Sequence, residues 1–343
     1  MTKKSRKIPE PKKLFVERMN KILTDKKDNE FYWNILKKTP VDSIRCNTLK
    51  IFPENLIKKL NDLGWIISQP WEKNPEVMII EGKKPTNNPQ EIINEKGLAK
   101  LFPGELGRTM EHLLGYYYVQ ELSSMLPIIA LTPKEDEEIL DLCAAPGSKT
   151  TQAAATMNNT GNIIANEIAM SRMRILASNL ERCGITNTII TRKEGKALCL
   201  NLEKEKIKFD KIYIDAPCSG EGTLRSTPKT YLMWNMKTIK YLSKLQKQLF
   251  SKAFKQLKVG GEIIYSTCTH APEENEKVVD AMLKEFGEKI EILKIELPIK
   301  TRNGITEWEE KKYDKRVKLA QRIYPQDNNT EGFFVSKFRR IKE

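Results

Sequence analysis

From Ile139 onward, short apolar runs alternate with amphipathic segments, and few folds accommodate that order. The apolar runs predict strands, and the segments between them have the spacing of helices. This alternation predicts an α/β fold in which a mostly parallel sheet has right-handed crossovers and helices on both faces. The predicted strands span residues 139–143, 162–166, 188–191, 211–214 and 262–265, and the predicted helices span residues 149–158, 169–183, 236–257 and 273–285.

Two further apolar runs near the end of the chain bring the predicted sheet to seven strands. They span residues 290–293 and 333–338, and we expect the second to return as an edge strand. In a doubly wound sheet, ligands bind beside the carboxyl ends of the strands. Functional residues are therefore expected in the loops that follow the strands.

The first part of the chain has a different order, which predicts a small α+β module. Helical spacing occurs around residues 14–23, 31–36 and 54–63, and extended segments occur at 43–48 and 65–67. We therefore predict a basic arm and module over residues 1–110, followed by a larger domain over residues 111–343.

Two segments of this region allow a more specific prediction. Turn-forming residues at 83–89 predict a loop. Residues 116–131 predict a buried helix that leads into the larger domain. Tyr116, Tyr117 and Tyr118 could stack on bases, but packing in the core is the favoured interpretation.

The charge of the chain favours a polyanionic partner such as nucleic acid. Lysine and arginine number 59 against 45 acidic residues, which gives a formal net charge of +14. A solvated lysine-rich surface is the alternative. The basic residues of an N-terminal arm, which could contact phosphates or remain a solvated tail, are Lys3, Lys4, Arg6, Lys7, Lys12 and Lys13.

Several classes of protein are disfavoured by the sequence. It has no run of about 18 apolar residues and no apolar secretory segment, so we expect a cytoplasmic protein without a membrane span. The 6 cysteines form no CxxC pair, and only 2 histidines are present. Neither a disulfide framework nor a metal site is predicted.

A turn of small residues, Asp141-Leu142-Cys143-Ala144-Ala145-Pro146-Gly147-Ser148-Lys149-Thr150, follows the first strand of the larger domain. Small residues let the backbone approach a ligand at the N-terminus of the next helix. The glycine spacing is neither that of GxGxxG nor that of a P-loop. Glu167 ends the second strand 20 residues beyond Gly147, a spacing at which an acidic group can meet a ribose diol, although a helix cap is the alternative.

Two cysteines follow strands that should be neighbours in the sheet. Asp215 and Cys218 follow the fourth strand, and Cys268 follows the fifth. A thiolate suits covalent addition at C6 of a cytosine ring, which makes C5 nucleophilic, and Asp215 could stabilise charge at N3. Pro272 suits the first position of a helix, so Cys268 is expected near a helix N-terminus, with the acids of that turn opposing its effect. Burial of either cysteine as a small apolar residue is the alternative.

The segments DLCAAPGSKT, DAPCSGEGTLR and YSTCTHAPEENE resemble, in order and spacing, the signature segments of the Fmu/Sun and nucleolar-protein family of RNA cytosine-5 methyltransferases. RCNTLK, GYYYVQELSSM and EGFFVSKF extend the resemblance over most of the chain. The resemblance implies a Rossmann-like class I methyltransferase fold, S-adenosyl-L-methionine as cofactor, and a small RNA-recognition-like module before the catalytic domain.

The resemblance also implies a role for each site residue. The family cysteine that matches Cys268 attacks C6, and the one that matches Cys218 helps to break the enzyme–RNA adduct. Asp215 matches an acid that contacts both cofactor and base, and Lys149 also belongs to the catalytic cleft. The residues that match cofactor contacts are Cys143, Ala144, Ala145, Pro146, Gly147, Ser148, Lys149, Glu167, Arg172 and Asp215.

The sequence departs from the family pattern at two positions. Ser148 stands where the family usually has a second glycine. Glu194 stands where an aspartate usually precedes glycine, which makes it the candidate contact for adenine.

The architecture favours tRNA over rRNA as substrate, and we expect a monomer. The open alternatives are an rRNA methyltransferase and a non-catalytic RNA-binding assembly factor.

Overall fold

The computed structural model describes residues 9–86 and 88–343, so Asn87 and the basic residues predicted at positions 3, 4, 6 and 7 lie outside the described residues. The N-terminal part contains the strands β1 (Asp42–Cys46), β2 (Trp65–Ser68), β3 (Val77–Lys83) and β4 (Tyr117–Val119). They form an antiparallel sheet in the order β2-β3-β1-β4. The helices of this part are α1 (Lys13–Ile22), α2 (Lys26–Ile35), α3 (Pro53–Asp62) and α4 (Met110–Leu113).

The helix predicted over residues 116–131 is wrong in its first part. Tyr117–Val119 is strand β4, which pairs with β1, and only α5 (Leu122–Leu131) is helical. The strand forms because Tyr117 is completely buried in the core of the N-terminal sheet. The carboxylate of Glu121 then accepts the N–H groups of Ser123 and Ser124, which starts the helix.

The larger sheet contains β5 (Glu138–Asp141), β6 (Asn162–Asn166), β7 (Thr188–Thr191), β8 (Phe209–Asp215), β9 (Leu257–Thr267), β10 (Ile290–Leu293), β11 (Arg302–Asn303), β14 (Gln321–Ile323) and β15 (Phe333–Arg340). A separate hairpin comprises β12 (Glu307–Trp308) and β13 (Lys311–Lys312). The order is β7-β6-β5-β8-β9-β15-β14-β11, and β10 also pairs with β15. Strands β5 to β9 are parallel, as predicted.

The last long strand is not at an edge, which corrects the prediction for residues 333–338. Strand β15 runs antiparallel to β9 and also pairs with β10 and β14. Its side chains Phe334, Val335 and Phe338 are buried, which fits a strand with neighbours on both sides. The predicted seven strands are present, and the short strands β11 and β14 extend the sheet.

Helices cover both faces of this sheet. They are α6 (Ser148–Thr156), α7 (Met170–Cys183), α8 (Gly195–Lys204), α9 (Thr230–Met233), α10 (Met236–Phe254), α11 (Glu276–Phe286) and α12 (Pro325–Asn328). One apolar core includes Leu198 of α8, Phe250 of α10 and Val279 of α11. The core on the other face includes Leu126 of α5 and Ala154 of α6. Helix α8 was absent from the sequence prediction.

The N-terminal helices pack against the larger part of the chain. Phe15 of α1 contacts the rings of Tyr231 and Trp234 edge-on. Arg18 forms a buried ion pair of 2.6 Å with Glu273. The Lys12 ammonium, predicted to belong to a free arm, donates to the Trp234 carbonyl at 2.7 Å. Over the described ranges, none of the helices combines the length and apolar character needed to cross a membrane.

Candidate active site

The two predicted cysteines lie together at the carboxyl ends of β8 and β9. These strands are parallel neighbours, with Asp215 opposite Ser266. The Sγ atoms of Cys218 and Cys268 are 3.2 Å apart, and both residues are half-buried thiols. The hydrogen bond with Cys268 and burial raise the pKa of Cys218 well above its usual range. Cys218 therefore holds its proton at neutral pH.

The loop after Cys268 differs from its prediction. Helix α11 begins at Glu276, not at residue 273, because residues 272–275 form turns. The side chain of Asn275 holds this turn by donating to the Thr269 carbonyl at 2.9 Å and accepting from the Thr267 hydroxyl at 2.6 Å. The helix N-terminus is therefore displaced from Cys268 by one turn more than the sequence predicted.

The buried ammonium of Lys149 and the partly exposed carboxylate of Asp215 form an ion pair near the thiols. The Lys149 ammonium donates to Asp215 Oδ2 at 2.7 Å and to Ser124 Oγ at 2.9 Å, and it lies 5.4 Å from the ring centroid of Phe333. Ser266 donates its hydroxyl hydrogen to Asp215 Oδ1 at 2.9 Å. Both carboxylate oxygens of Asp215 thus accept hydrogen bonds.

The small-residue turn, Cys143 to Gly147, connects β5 to α6 as predicted, and distant side chains hold its carbonyl groups. Arg172 donates to the Ala145 carbonyl at 2.6 Å, and Asn179 donates to the Pro146 carbonyl at 2.9 Å. Gly147 has a φ of +101°, and a Cβ atom there would lie 2.9 Å from Leu176 Cδ1. Glycine is therefore favoured by the left-handed backbone conformation, and a larger residue would also displace the Leu176 side chain of α7.

Glu167 and Glu194, two other candidate cofactor residues, have hydrogen-bond partners close to them in the chain. Glu167 is buried after β6, where its Oε1 accepts the Ala169 N–H at 2.9 Å and its Oε2 lies 3.2 Å from Arg172 Nη1. Glu194 follows β7 and caps α8 by accepting the Ala197 N–H at 3.1 Å. Burial raises the pKa of Cys143, so this thiol is protonated at neutral pH. The structure brings the predicted residues to one edge of the sheet, and their contacts with a cofactor stay predictions.

Comparison with known proteins identifies the family. A family model described as 16S rRNA methyltransferase RsmB/F matches residues 128–339. A tRNA (cytosine(49)-C(5))-methyltransferase from Pyrococcus abyssi is 39% identical over 328 residues, which cover 96% of each chain. The chain belongs to the RsmB/F methyltransferase family.

This RsmB/F-family chain is also similar to longer bacterial proteins and to two solved structures from Pyrococcus horikoshii. Ribosomal RNA small subunit methyltransferase F from Vibrio parahaemolyticus is 35% identical, and the match covers 95% of this chain but 62% of the relative. A methyltransferase homolog from Pyrococcus horikoshii has a TM-score of 0.79 at 32% identity, with 96% and 95% of the chains covered. NSun6 from the same organism, solved with SFG, has a TM-score of 0.77 at 26% identity, with 97% and 99% covered.

These comparisons confirm the predicted family resemblance and the class I methyltransferase fold, including the small N-terminal module. The domain boundary at residue 110 stays a prediction. The site also contains residues that sequence reasoning did not single out. Ser124 and Ser266 orient the Lys149–Asp215 pair, and Gln246 and Glu274 contact the loop that carries Cys218. Ser124, Ser266 and Glu274 lie within segments that carry the family resemblance, which is the available sequence signal for them, whereas Gln246 lies outside those segments.

Proposed function

We propose that this methyltransferase transfers a methyl group from S-adenosyl-L-methionine to C5 of a cytosine in RNA, through a covalent adduct between Cys268 and C6. The observation that carries this proposal is the thiol pair, 3.2 Å from sulfur to sulfur, beside the Lys149–Asp215 ion pair. The names of the Pyrococcus and Vibrio relatives support RNA as the substrate class.

The first step would be addition of Cys268 to C6 as the thiolate, after its thiol proton has been lost to solvent. A bond forms between Sγ and C6, and the displaced electron pair moves into the ring toward C5 and N3. Lys149 and Asp215 would stabilise this charge, because the Lys149 ammonium, held by Asp215 Oδ2 at 2.7 Å, can donate a hydrogen bond toward N3. The assignment of Cys268 rather than Cys218 as nucleophile rests on the family resemblance.

The last step would be removal of the C5 proton by Cys218. The electron pair of the C5–H bond restores the C5–C6 double bond, and the bond between C6 and Cys268 breaks to release a thiolate. The largest cause of the raised pKa of Cys218 is its hydrogen bond with Cys268. Once Cys268 is bonded to C6, that contribution is lost and the pKa of Cys218 falls, so Cys218 loses its proton to solvent more readily and its thiolate can then accept the proton from C5.

The residues at the strand ends fit a cofactor with a ribose diol and a charged amino-acid part. When bound, S-adenosyl-L-methionine supplies a methyl group activated by its sulfonium. The carboxylate of Glu167 would accept the hydroxyl hydrogens of a diol, and Arg172, 3.2 Å from it, also donates to the Ala145 carbonyl of the turn. Asp215 ends β8, which β5 separates from β6 in the sheet, and Cys218 follows it in the chain. The Glu194 side chain is partly exposed and could contact adenine through Oε1, while Oε2 accepts the Ala197 N–H.

The substrate we propose is tRNA. The tRNA methyltransferase from Pyrococcus abyssi matches over 96% of its own length, whereas the Vibrio rRNA methyltransferases extend well beyond the matched region. The N-terminal module over residues 1–110 would bind RNA, aided by the net charge of +14. We further propose that the protein acts in the cytoplasm as a monomer.

Paired cysteine variants test the mechanism. We expect Cys268→Ala to abolish methyl transfer, because no covalent activation of C5 is possible. We expect Cys218→Ala to accumulate a protein–RNA adduct that survives a denaturing gel, because the C5 proton is not removed. Methylation at C5 by Cys268→Ala would show that the nucleophile is wrong. RNA binding without methyl transfer to tRNA or rRNA by the wild type would favour the assembly factor instead.

A further inference from the structure

Glu274 is a completely buried carboxyl group next to the loop that carries Cys218. Its Oε2 atom accepts the Ser219 N–H at 3.0 Å and the Gln246 side-chain N–H at 2.9 Å. Its Oε1 atom is also buried and has no hydrogen-bond partner among the described residues. A buried carboxyl group with a free oxygen is costly to retain, so a function beyond packing is expected.

Gln246 completes a clamp around Cys218. The same amide nitrogen that donates to Glu274 also donates to the Pro217 carbonyl at 2.8 Å. Glu274 and Gln246 therefore bind the backbone on both sides of Cys218, through Ser219 and Pro217. The two side chains come from separate elements, α10 and the turn before α11, so the clamp is fixed by the fold.

The clamped loop is also tied to the loop that carries Cys268. The hydroxyl groups of Ser219 and Thr269 are 2.8 Å apart, and the Gly222 N–H donates to the Cys268 carbonyl at 2.9 Å. These contacts set the distance between the thiols, because they connect the backbones next to both cysteines. Release of Glu274 would remove one anchor of this arrangement and leave Cys218 free to move away from Cys268.

We propose that Glu274, together with Gln246, is a positioning residue that holds Cys218 against the covalent adduct for the release step. This inference rests on the proposed function. Cys218 must reach the proton on C5 while Cys268 is bonded to the adjacent C6, and a displacement of about 1 Å can slow such a step about 100-fold. Formation of the adduct does not use Cys218, so loss of the clamp affects release more than addition.

The pKa of Glu274 is shifted in the direction expected for a carboxyl group enclosed by the protein. The pKa of Glu274 is raised to about 7, mainly by burial and to a smaller extent by the nearby carboxyl group of Glu221, while the hydrogen bonds from Ser219 and Gln246 act in the opposite direction. The other titratable groups that face it are the thiol of Cys218 and the phenol of Tyr265, which donates to the Glu274 carbonyl. Both oxygen atoms of a neutral or charged carboxyl group can accept, so the clamp does not require the charge.

The test compares adduct formation and turnover in two Glu274 variants. Glu274→Ala removes the acceptor, and we expect about 10-fold slower steady-state turnover with more adduct than in wild type on a denaturing gel. Glu274→Gln keeps an acceptor oxygen for Ser219 and should restore most of the turnover. If Glu274 had a purely structural role, Glu274→Ala would lower adduct formation and turnover together. Excess adduct would then not appear in Glu274→Ala, and Glu274→Gln would have no release defect to correct.

Two controls make the outcome specific. Glu273→Ala removes the neighbouring buried carboxyl group, which pairs with Arg18 instead of the Cys218 loop, and should give no excess of adduct. Gln246→Ala removes the other half of the clamp. It serves as the test variant if Glu274→Ala does not fold. Cys218→Ala is expected to trap adduct and shows that the assay works. The inference is overturned if, in that assay, a folded Glu274→Ala or Gln246→Ala variant accumulates no more protein–RNA adduct than Glu273→Ala does. Absence of adduct even in Cys218→Ala would instead refute the proposed function.

Discussion

His270 should make the fold sensitive to mild acid. Its imidazole is buried, and it stacks on Tyr324 with ring centroids 5.0 Å apart and an angle of 8° between the planes. Burial and the nearby guanidinium of Arg322 lower its pKa to about 3. The folded protein therefore keeps the ring neutral under conditions in which an unfolded chain would protonate it.

The size of this effect follows from the two pKa values. The unfolded value is about 6.5, so at about pH 5.5 protonation stabilises the unfolded chain by about 1.4 kcal/mol relative to pH 8. Because the folded pKa is lowered, the contribution to stability is complete above about pH 6.5 and is lost as the pH falls toward 3. The buried carboxyl groups of Asp141, Glu274 and Glu331, with pKa values raised to about 7, act in the opposite direction.

Urea unfolding of wild type and His270→Asn at both pH values isolates this contribution. The variant should be less stable than wild type at about pH 8, since the stacked ring is lost, and the difference should shrink by about 1.4 kcal/mol at about pH 5.5. The carboxyl groups are common to both proteins and cancel in the difference. A difference in stability that is the same at both pH values would refute the assignment of a neutral, buried imidazole.

Substitutions at three other positions test separate contacts. Arg45→Met removes a buried guanidinium that donates to the first turn of α6 and leaves its acceptors unpaired, so urea unfolding should show a loss of about 1.5–3 kcal/mol, and unchanged stability would contradict this. Glu167→Gln should weaken binding of S-adenosyl-L-methionine about 10-fold or more in calorimetry, and unchanged affinity would exclude Glu167 as a ligand. Gly115→Ala should cost about 2 kcal/mol or more in urea unfolding, because φ is +72° and the new Cβ would lie 1.9 Å from the Arg182 carbonyl oxygen; full stability would contradict the conformation.

The sequence predicted the parallel sheet well because its strands are apolar runs bounded by amphipathic helices. The bounds of β6, β7 and β10 match those predicted. Strand β4 was missed because its pairing with β1 joins residues about 70 positions apart, and a local apolar pattern does not distinguish a short strand from a buried helix. The position of β15 inside the sheet depends in the same way on distant partners.

The candidate site shows the same division between local and distant information. Cys218 and Cys268 could be placed together because both follow neighbouring parallel strands. The side chains that hold them could not be predicted, because Gln246 lies in the middle of a long helix and Glu274 in a turn that resembles a helix start. Spacing along the chain does not reveal that these two meet at Ser219 and Pro217.

The most direct test of the proposed function is transfer of labelled methyl from S-adenosyl-L-methionine to purified tRNA and rRNA, followed by nucleoside analysis. We predict label in 5-methylcytosine from the tRNA fraction with wild type and none with Cys268→Ala. Label in rRNA alone would contradict the proposed substrate. Label in any nucleoside other than 5-methylcytosine, or label that persists in Cys268→Ala, would contradict covalent cytosine-C5 methylation.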